Sequence, residues 1–220
     1  MNKSDSEIIE LDGWVIWQRK VEHGDDIPLL VMLHGLTGDE VSMSLFSVRI
    51  PDNYFVISPR GLFLSPSGGF SWTRFNQGYE SVSVGDFTDG IDALNRLLTP
   101  ANFPNVDLNR LSLLGFSQGA ALAFTFAVLF PKRIKCVAGL SAFLPHDLKK
   151  MRMDRPLTHK RVYLAHGLKD KIIPIENARI TAKVLESMGA DIIYCEDDVG
   201  HKISADCFRG LGDYFRNCLE

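Results

Sequence analysis

An α/β fold, with a mostly parallel central sheet and helices on both faces, follows from three observations. Short β-rich runs alternate with longer runs of helical spacing along the whole chain. Several of the short runs are apolar at every position, as strands covered on both faces must be. With 220 residues, 45% hydrophobic and 23% charged, the chain suits one such domain, and a single domain over residues 1–220 is the expectation.

The elements can be justified in order. Residues 13–19 read as an early strand, in a hairpin with the segment before them. Residues 28–33, Pro-Leu-Leu-Val-Met-Leu, form a continuous apolar run that ends at His34-Gly35, and residues 54–58 form the next strand, stopped by Pro59. Phe87, Ile91, Leu94, Leu97 and Leu98 then recur at helical spacing, giving a stripe that packs on a sheet. Residues 110–115 read as a buried strand. Residues 120–130 are apolar on nearly every side, so that helix has to be central. Strands are expected at 134–140 and 161–165, a helix at 175–188 with Gly189 as its stop, a last strand at 191–195 and a last helix at 203–219.

Composition narrows the function. A net charge of −3 is too mild to point to nucleic acid or an anionic membrane. No run of 18 apolar residues occurs, and the opening Met-Asn-Lys-Ser-Asp-Ser-Glu has no apolar signal core, so no stable membrane insertion and a cytoplasmic, reduced location are expected. The four cysteines, at 136, 195, 207 and 218, lack metal-ligand spacing; Cys136 and Cys195 lie in apolar runs and read as buried, inert thiols. Trp14 and Trp17, read as exposed on an edge strand, hint at a homodimer.

The chemistry centres on Gly115-Phe116-Ser117-Gln118-Gly119, a Gly-x-Ser-x-Gly pentapeptide between a strand-like run and a helix. In that position Ser117 sits on a sharp strand-to-helix turn, with glycines where a side chain would strike the neighbouring strand or helix. A serine hydroxyl is a poor nucleophile near neutral pH, so it needs a histidine to take its proton and an acid to orient that histidine. Asp170, in the loop after the strand at 161–165, and His201, between the last strand and the last helix, follow in the order serine, acid, base. Asp197 and Asp198 are rivals for the acid, but they stand so close to His201 in sequence that they read as a solvated rim. Glu196, Asp197, Asp198 and His201 together could suggest a metal site; no second histidine lies at ligand spacing, and no metal or cofactor is expected.

The motifs Leu33-His-Gly-Leu-Thr-Gly38, Gly115-Phe-Ser-Gln-Gly-Ala120, Leu140-Ser-Ala-Phe-Leu-Pro145, His166-Gly-Leu-Lys-Asp-Lys-Ile-Ile-Pro174 and Gly200-His201 together resemble the carboxylesterase/phospholipase family, which includes the acyl-protein thioesterases and many small esterases. The resemblance runs from about residue 28 to the end of the chain. It implies an α/β-hydrolase core without a large cap domain, with Ser117 as nucleophile, Asp170 as orienting acid and His201 as base. It also implies an oxyanion hole at the backbone N–H groups of Leu36 and Gln118. For Gln118 this agrees with the stabilisation of negative charge at a helix N-terminus.

The reading is therefore a serine hydrolase of carboxylic esters, or of thioesters, acting on a small-molecule or acyl substrate. Acyl-protein thioesterase and lysophospholipase-type activity, acyl transfer to another acceptor, and a non-catalytic binding protein on the same fold are its rivals. Trp72, Phe70, Phe143 and Ile173, with Leu36, are expected to line an acyl groove, the first two from a flexible loop at 65–72. His34 and His166 each precede a glycine at a strand end and read as shaping the site's loops. His23, His146 and His159 read as surface groups.

Overall fold

The computed structural model describes residues 6–21, 24–74, 78–150 and 155–219; His23 lies outside them. Ten strands and four α-helices appear in the described residues. An eight-stranded sheet is built from β1 (Ser6–Leu11), β2 (Trp14–Arg19), β3 (Leu29–Leu33), β4 (Phe55–Pro59), β7 (Leu111–Phe116), β8 (Ile134–Leu140), β9 (Arg161–Gly167) and β10 (Asp191–Asp197). Across the sheet the order is β1-β2-β4-β3-β7-β8-β9-β10. β1 and β2 form the expected antiparallel hairpin, β2 pairs antiparallel with β4, and all other neighbours are parallel. This is the α/β-hydrolase fold, with no large cap among the described residues.

Strand alternation divides the core into two layers. Leu29, Val31 and Leu33 of β3 point into one layer, and Leu30 and Met32 into the other. The first layer is covered by α1 (Thr88–Leu97), α2 (Gln118–Leu129) and α3 (Ile175–Ser187). The second is covered by α4 (Ala205–Asn217) and a short 3-10 helix at Ser44–Arg49. Eleven of the twelve α2 residues are buried, which is why this helix carries almost no polar side chains. Gly189, at φ +95°, ends α3 in the left-handed region that a glycine enters without cost.

The topology locates the site before any side chain is considered. β4 lies on one side of β3 and β7 on the other, so the chain reverses its winding direction between β3 and β7. In open parallel sheets ligands bind outside the carboxyl ends of the strands at this reversal. The segments holding Leu36, Ser117, Phe143, Asp170 and His201 leave the carboxyl ends of β3, β7, β8, β9 and β10 respectively.

Three expectations are corrected. Trp14 and Trp17 are buried, 9% and 7% exposed, and β1 rather than β2 is the edge strand, which removes the hint of a dimer read from them. The loop at 65–72 is folded: β5 (Phe63–Leu64) and β6 (Phe70–Ser71) close it as a small hairpin. Cys195 is not a free thiol but is bridged to Cys207, tying β10 to α4, whereas Cys136 and Cys218 are free and buried. No described helix is long and apolar enough to cross a membrane.

The bridge spans a sequence separation of 12 residues, with His201 inside the closed loop. Closing a loop of this length removes unfolded-state entropy equivalent to about 3 kcal/mol. Cys207→Ser is expected to lower the unfolding free energy by about 2–4 kcal/mol in urea denaturation. A loss matched by adding a reductant to the wild type identifies the bridge as the cause; an unchanged midpoint contradicts it.

Candidate active site

The elbow is held by backbone packing. Ser117 has φ 51° and ψ −114°, outside the ordinary regions for a residue with a side chain. Its N–H donates to the Leu140 carbonyl at 2.8 Å, and its own carbonyl accepts from Ala120 and Ala121 at 3.0 and 3.1 Å, so it is fixed between β8 and the first turn of α2. The flanking glycines are steric necessities. A Cβ on Gly115 would lie 2.3 Å from the Gly119 carbonyl oxygen, and one on Gly119 would lie 2.1 Å from that of Leu33. Such strain persists only where the surroundings over-determine it.

Asp170 and His201 are brought together by the loops after β9 and β10. His201 Nδ1 lies 2.7 Å from Asp170 Oδ2, and the Asp170 side chain is fully buried. The other carboxylate oxygen, Oδ1, accepts from the N–H groups of Ile172 and Ile173, both at 2.9 Å. The carboxylate is thus oriented by its own loop. Its proximity fixes the tautomer: Nδ1 of His201 carries the proton and Nε2 is left as an acceptor. The Phe116 ring packs edge-on against His201 at 5.0 Å between centroids and holds the imidazole from one side. Of the rival acids, Asp198 pairs with Lys169 on the surface, and Asp197 accepts the N–H of Asp198. Glu196 accepts from Nε and Nη2 of the Arg179 guanidinium, which hold its carboxyl down at about 2. Among the described residues no group of three His, Cys, Asp or Glu side chains is placed so that it could hold a metal ion.

Ser117 and His201 open on one cavity of about 680 Å³, also walled by Leu36, Gln118, Phe143 and Ile173. Gln118 is the first residue of α2, so its N–H has no partner within the helix. The Leu36 N–H makes no hydrogen bond among the described residues. Tyr79, Val82 and Ile172 also line this cavity, a role not read from the sequence. Tyr79 packs against Phe143, at 5.8 Å between ring centroids. Only its aromatic character could have flagged Tyr79, since it follows a segment without regular spacing.

Trp72 and Phe70 do not line the cavity, and the expectation for them is corrected. Trp72 is fully buried, with Nε1–H donating to the His34 carbonyl at 2.8 Å. Phe70 lies under the Arg60 guanidinium, 4.7 Å from its ring, beside a separate pocket shared with Trp14 and Arg96. Their loop instead supports the segment that carries Leu36. Thr37 N–H donates to Phe70 O at 2.9 Å, and Phe70 N–H donates to Gly38 O at 2.8 Å. Gly69, at φ +63°, is required there because a Cβ would overlap the Thr37 carbonyl. The Gln118 side chain ties the same loop to the elbow: Oε1 accepts from the Trp72 N–H at 3.0 Å, and Nε2 donates to Thr73 Oγ1 at 3.1 Å.

Both buried histidines shape loops. His34 Nδ1–H donates to the Gly35 carbonyl at 2.7 Å, which leaves Nε2 to accept the Gly61 N–H at 2.8 Å. His166 Nε2 must carry its proton to reach the Ile173 carbonyl at 2.8 Å; Nδ1 is buried without a partner, and Asp170 Oδ2 lies 3.3 Å from Nε2. His146 and His159 are exposed.

A family model described as Phospholipase/Carboxylesterase matches residues 19–219. Among curated proteins, the chain is similar to acyl-protein thioesterase 1 of Gibberella zeae, 30% identical over 88 residues that make up 39% of this chain and 37% of that protein. It is also similar to acyl-protein thioesterase 1 of Aspergillus fumigatus, 29% identical over 120 residues, 52% of this chain and 49% of that protein. The match thus spans about half or less of the length of these relatives. Among solved structures, the carboxylesterase of Bacillus cereus superposes with a TM-score of 0.80 at 20% identity, covering 94% of this chain and 95% of that one. The carboxylesterase from Mesorhizobium loti gives 0.81 at 18% identity, with 96% and 98% covered. At these identities the structural likeness is one of fold.

Burial pushes the pKa of both His34 and His166 down, against the upward pull of their hydrogen bonds and neighbouring carboxylates. The unfolded chain therefore takes up protons below ~6.5 that the folded chain does not, and stability falls as the pH drops from there. Urea unfolding is expected to give a lower unfolding free energy at about pH 5.5 than at about pH 7.5. Carboxylates held low by partners, such as Glu196, act only at more acid pH. Equal or greater stability at the lower pH contradicts neutral buried rings.

Proposed function

Because the chain belongs to the phospholipase/carboxylesterase family, we propose that it is a serine hydrolase that cleaves carboxylic esters through an acyl-enzyme. The observation that carries this reading is the 2.7 Å contact between Asp170 and a His201 that opens on the same cavity as a backbone-strained Ser117. Ser117 Oγ attacks the ester carbonyl carbon while His201 Nε2 takes its proton. Asp170 holds the imidazole in the required tautomer and stabilises the imidazolium. The carbonyl oxygen, now carrying negative charge, accepts hydrogen bonds from the Leu36 and Gln118 N–H groups, each donor contributing roughly 3–4 kcal/mol to the transition state. His201 then gives the proton to the leaving alcohol, and water, deprotonated by the same histidine, releases the acid from Ser117.

Phe143 and Ile173 would contact the substrate's acyl part in this reading. The same machinery serves thioesters, and the two fungal relatives are named for that activity. The cytoplasmic placement expected from the sequence stands beside a Cys195–Cys207 bridge of the kind that reducing compartments break. Alkylating free thiols before cell lysis reads whether the pair is oxidised in the cell.

p-Nitrophenyl esters from acetate to palmitate are the first substrates to assay. Ser117→Ala is expected to remove turnover without unfolding the chain, and Asp170→Asn to lower kcat by roughly 10³–10⁴-fold through loss of the tautomer. Full activity in Ser117→Ala sinks the assignment. Labelling of the wild type by a fluorophosphonate without turnover of any ester redirects it to thioesters.

A further inference from the structure

A second apolar cavity, of about 510 Å³, lies on the other side of the Leu36 and Phe116 ridge. It shares Gly35, Leu36, Thr37 and Phe116 with the cavity that holds Ser117, so the two meet along one wall. Each alone falls within the range of small-molecule sites, roughly 300–1,000 Å³. The second cavity is floored by Met43 and Phe46, both buried, and edged by Leu45, which is 57% exposed. Gly38 and Ser42 also line it, and the rest of its wall is Lys202 and Ile203, the two residues that follow His201.

We infer that the second cavity takes the apolar alcohol or thiol part of the substrate, while the first takes the acyl part. The inference rests on the esterase reading and deepens it. In the tetrahedral intermediate the oxyanion is directed to Leu36 and Gln118 and the leaving oxygen to His201, which must protonate it. The leaving group therefore departs along the histidine side of the site, where the wall runs on into Lys202 and Ile203. His201 itself lines the first cavity, which extends from there to Phe143, Tyr79 and Val82, while Lys202 and Ile203 carry the wall into the second. An ester with carbon chains on both sides of the scissile bond fills both cavities, whereas a methyl or ethyl ester leaves the second empty. Leu45 is then the specificity residue for the alcohol: it adds apolar contact to a chain that enters the groove.

The test uses butyrate esters of methanol, butanol and octanol, with release of acid followed in a pH-stat. Wild-type kcat/KM is expected to rise along the series, because each buried methylene favours the bound state by up to about fourfold. Leu45→Glu is expected to reduce the octyl-to-methyl ratio about tenfold. The acetate-to-hexanoate ratio of methyl esters, which reads the acyl side, stays as in the wild type. Leu64→Glu, at a residue 80% exposed and outside both cavities, serves as the surface-charge control. Leu45→Trp, which fills the groove, is expected to lower the same octyl-to-methyl ratio. A wild-type rate indifferent to alcohol length overturns the assignment, as does a Leu45→Glu ratio equal to that of the wild type. Failure of the wild type to hydrolyse any ester overturns the esterase reading itself, and this proposal with it.

Discussion

The crossing of three backbones at Gly115, Gly119 and Leu33 is the constraint on which the rest of the site depends. α2 starts so close to the ends of β7 and β3 that no Cβ fits at either glycine. That closeness forces Ser117 into its sparsely populated conformation, at a cost of order 1–3 kcal/mol. The cost is offset by the burial of nearly all of α2 against β3, β7 and β8, and by the Ser117 N–H bond to Leu140. The same crossing sets the Gln118 N–H at a helix N-terminus beside the serine, where the backbone has no partner of its own to offer.

Around this fixed point, the remaining groups are held by loops that brace one another. The segment carrying Leu36 is clamped by the 63–71 hairpin, and that hairpin is tied back to the elbow through the Gln118 side chain. Asp170 is aimed by two N–H groups of its own loop, and the carbonyl of Ile173 in that loop engages His166. The His201 loop is closed by the Cys195–Cys207 bridge and by Ser204, whose hydroxyl caps α4 by accepting the Cys207 N–H. Each proposed catalytic group thus has a support of its own, an arrangement that holds reacting atoms in place at little further entropic cost.

Much of this was legible in the sequence because the relevant constraints are local. Glycines at 115 and 119, an apolar run before them and an apolar helix after them specify the elbow within a short window. Asp170 and His201 are singled out by the chain order serine, acid, histidine, and the loops after β9 and β10 bring these two side chains together. What could not be read depends on contacts between distant segments. Trp72 and Phe70 are aromatic and sit in a glycine-containing loop, features shared by residues that line a pocket and residues that anchor a loop. Only the backbone pairing of Thr37, Gly38 and Phe70 decides between them. Cys195 and Cys207 stand in a strand and a helix with no spacing that signals a bridge, and they meet because α4 packs across the end of β10. Trp14 and Trp17 are buried because β1 pairs outside their strand and the two rings enter opposite layers of the core, which the local sequence does not show.

The central claim is that Ser117 carries the acyl group during turnover. Intact-mass spectrometry after acid quench of the wild type mixed with p-nitrophenyl butyrate, followed by peptide mapping, tests it directly. One added butyryl group is expected, on the peptide containing Ser117, accumulating when the reaction is run at low temperature and quenched before water has released the acid. A butyryl group on any other residue, or turnover with no covalent adduct at any quench time, would contradict it.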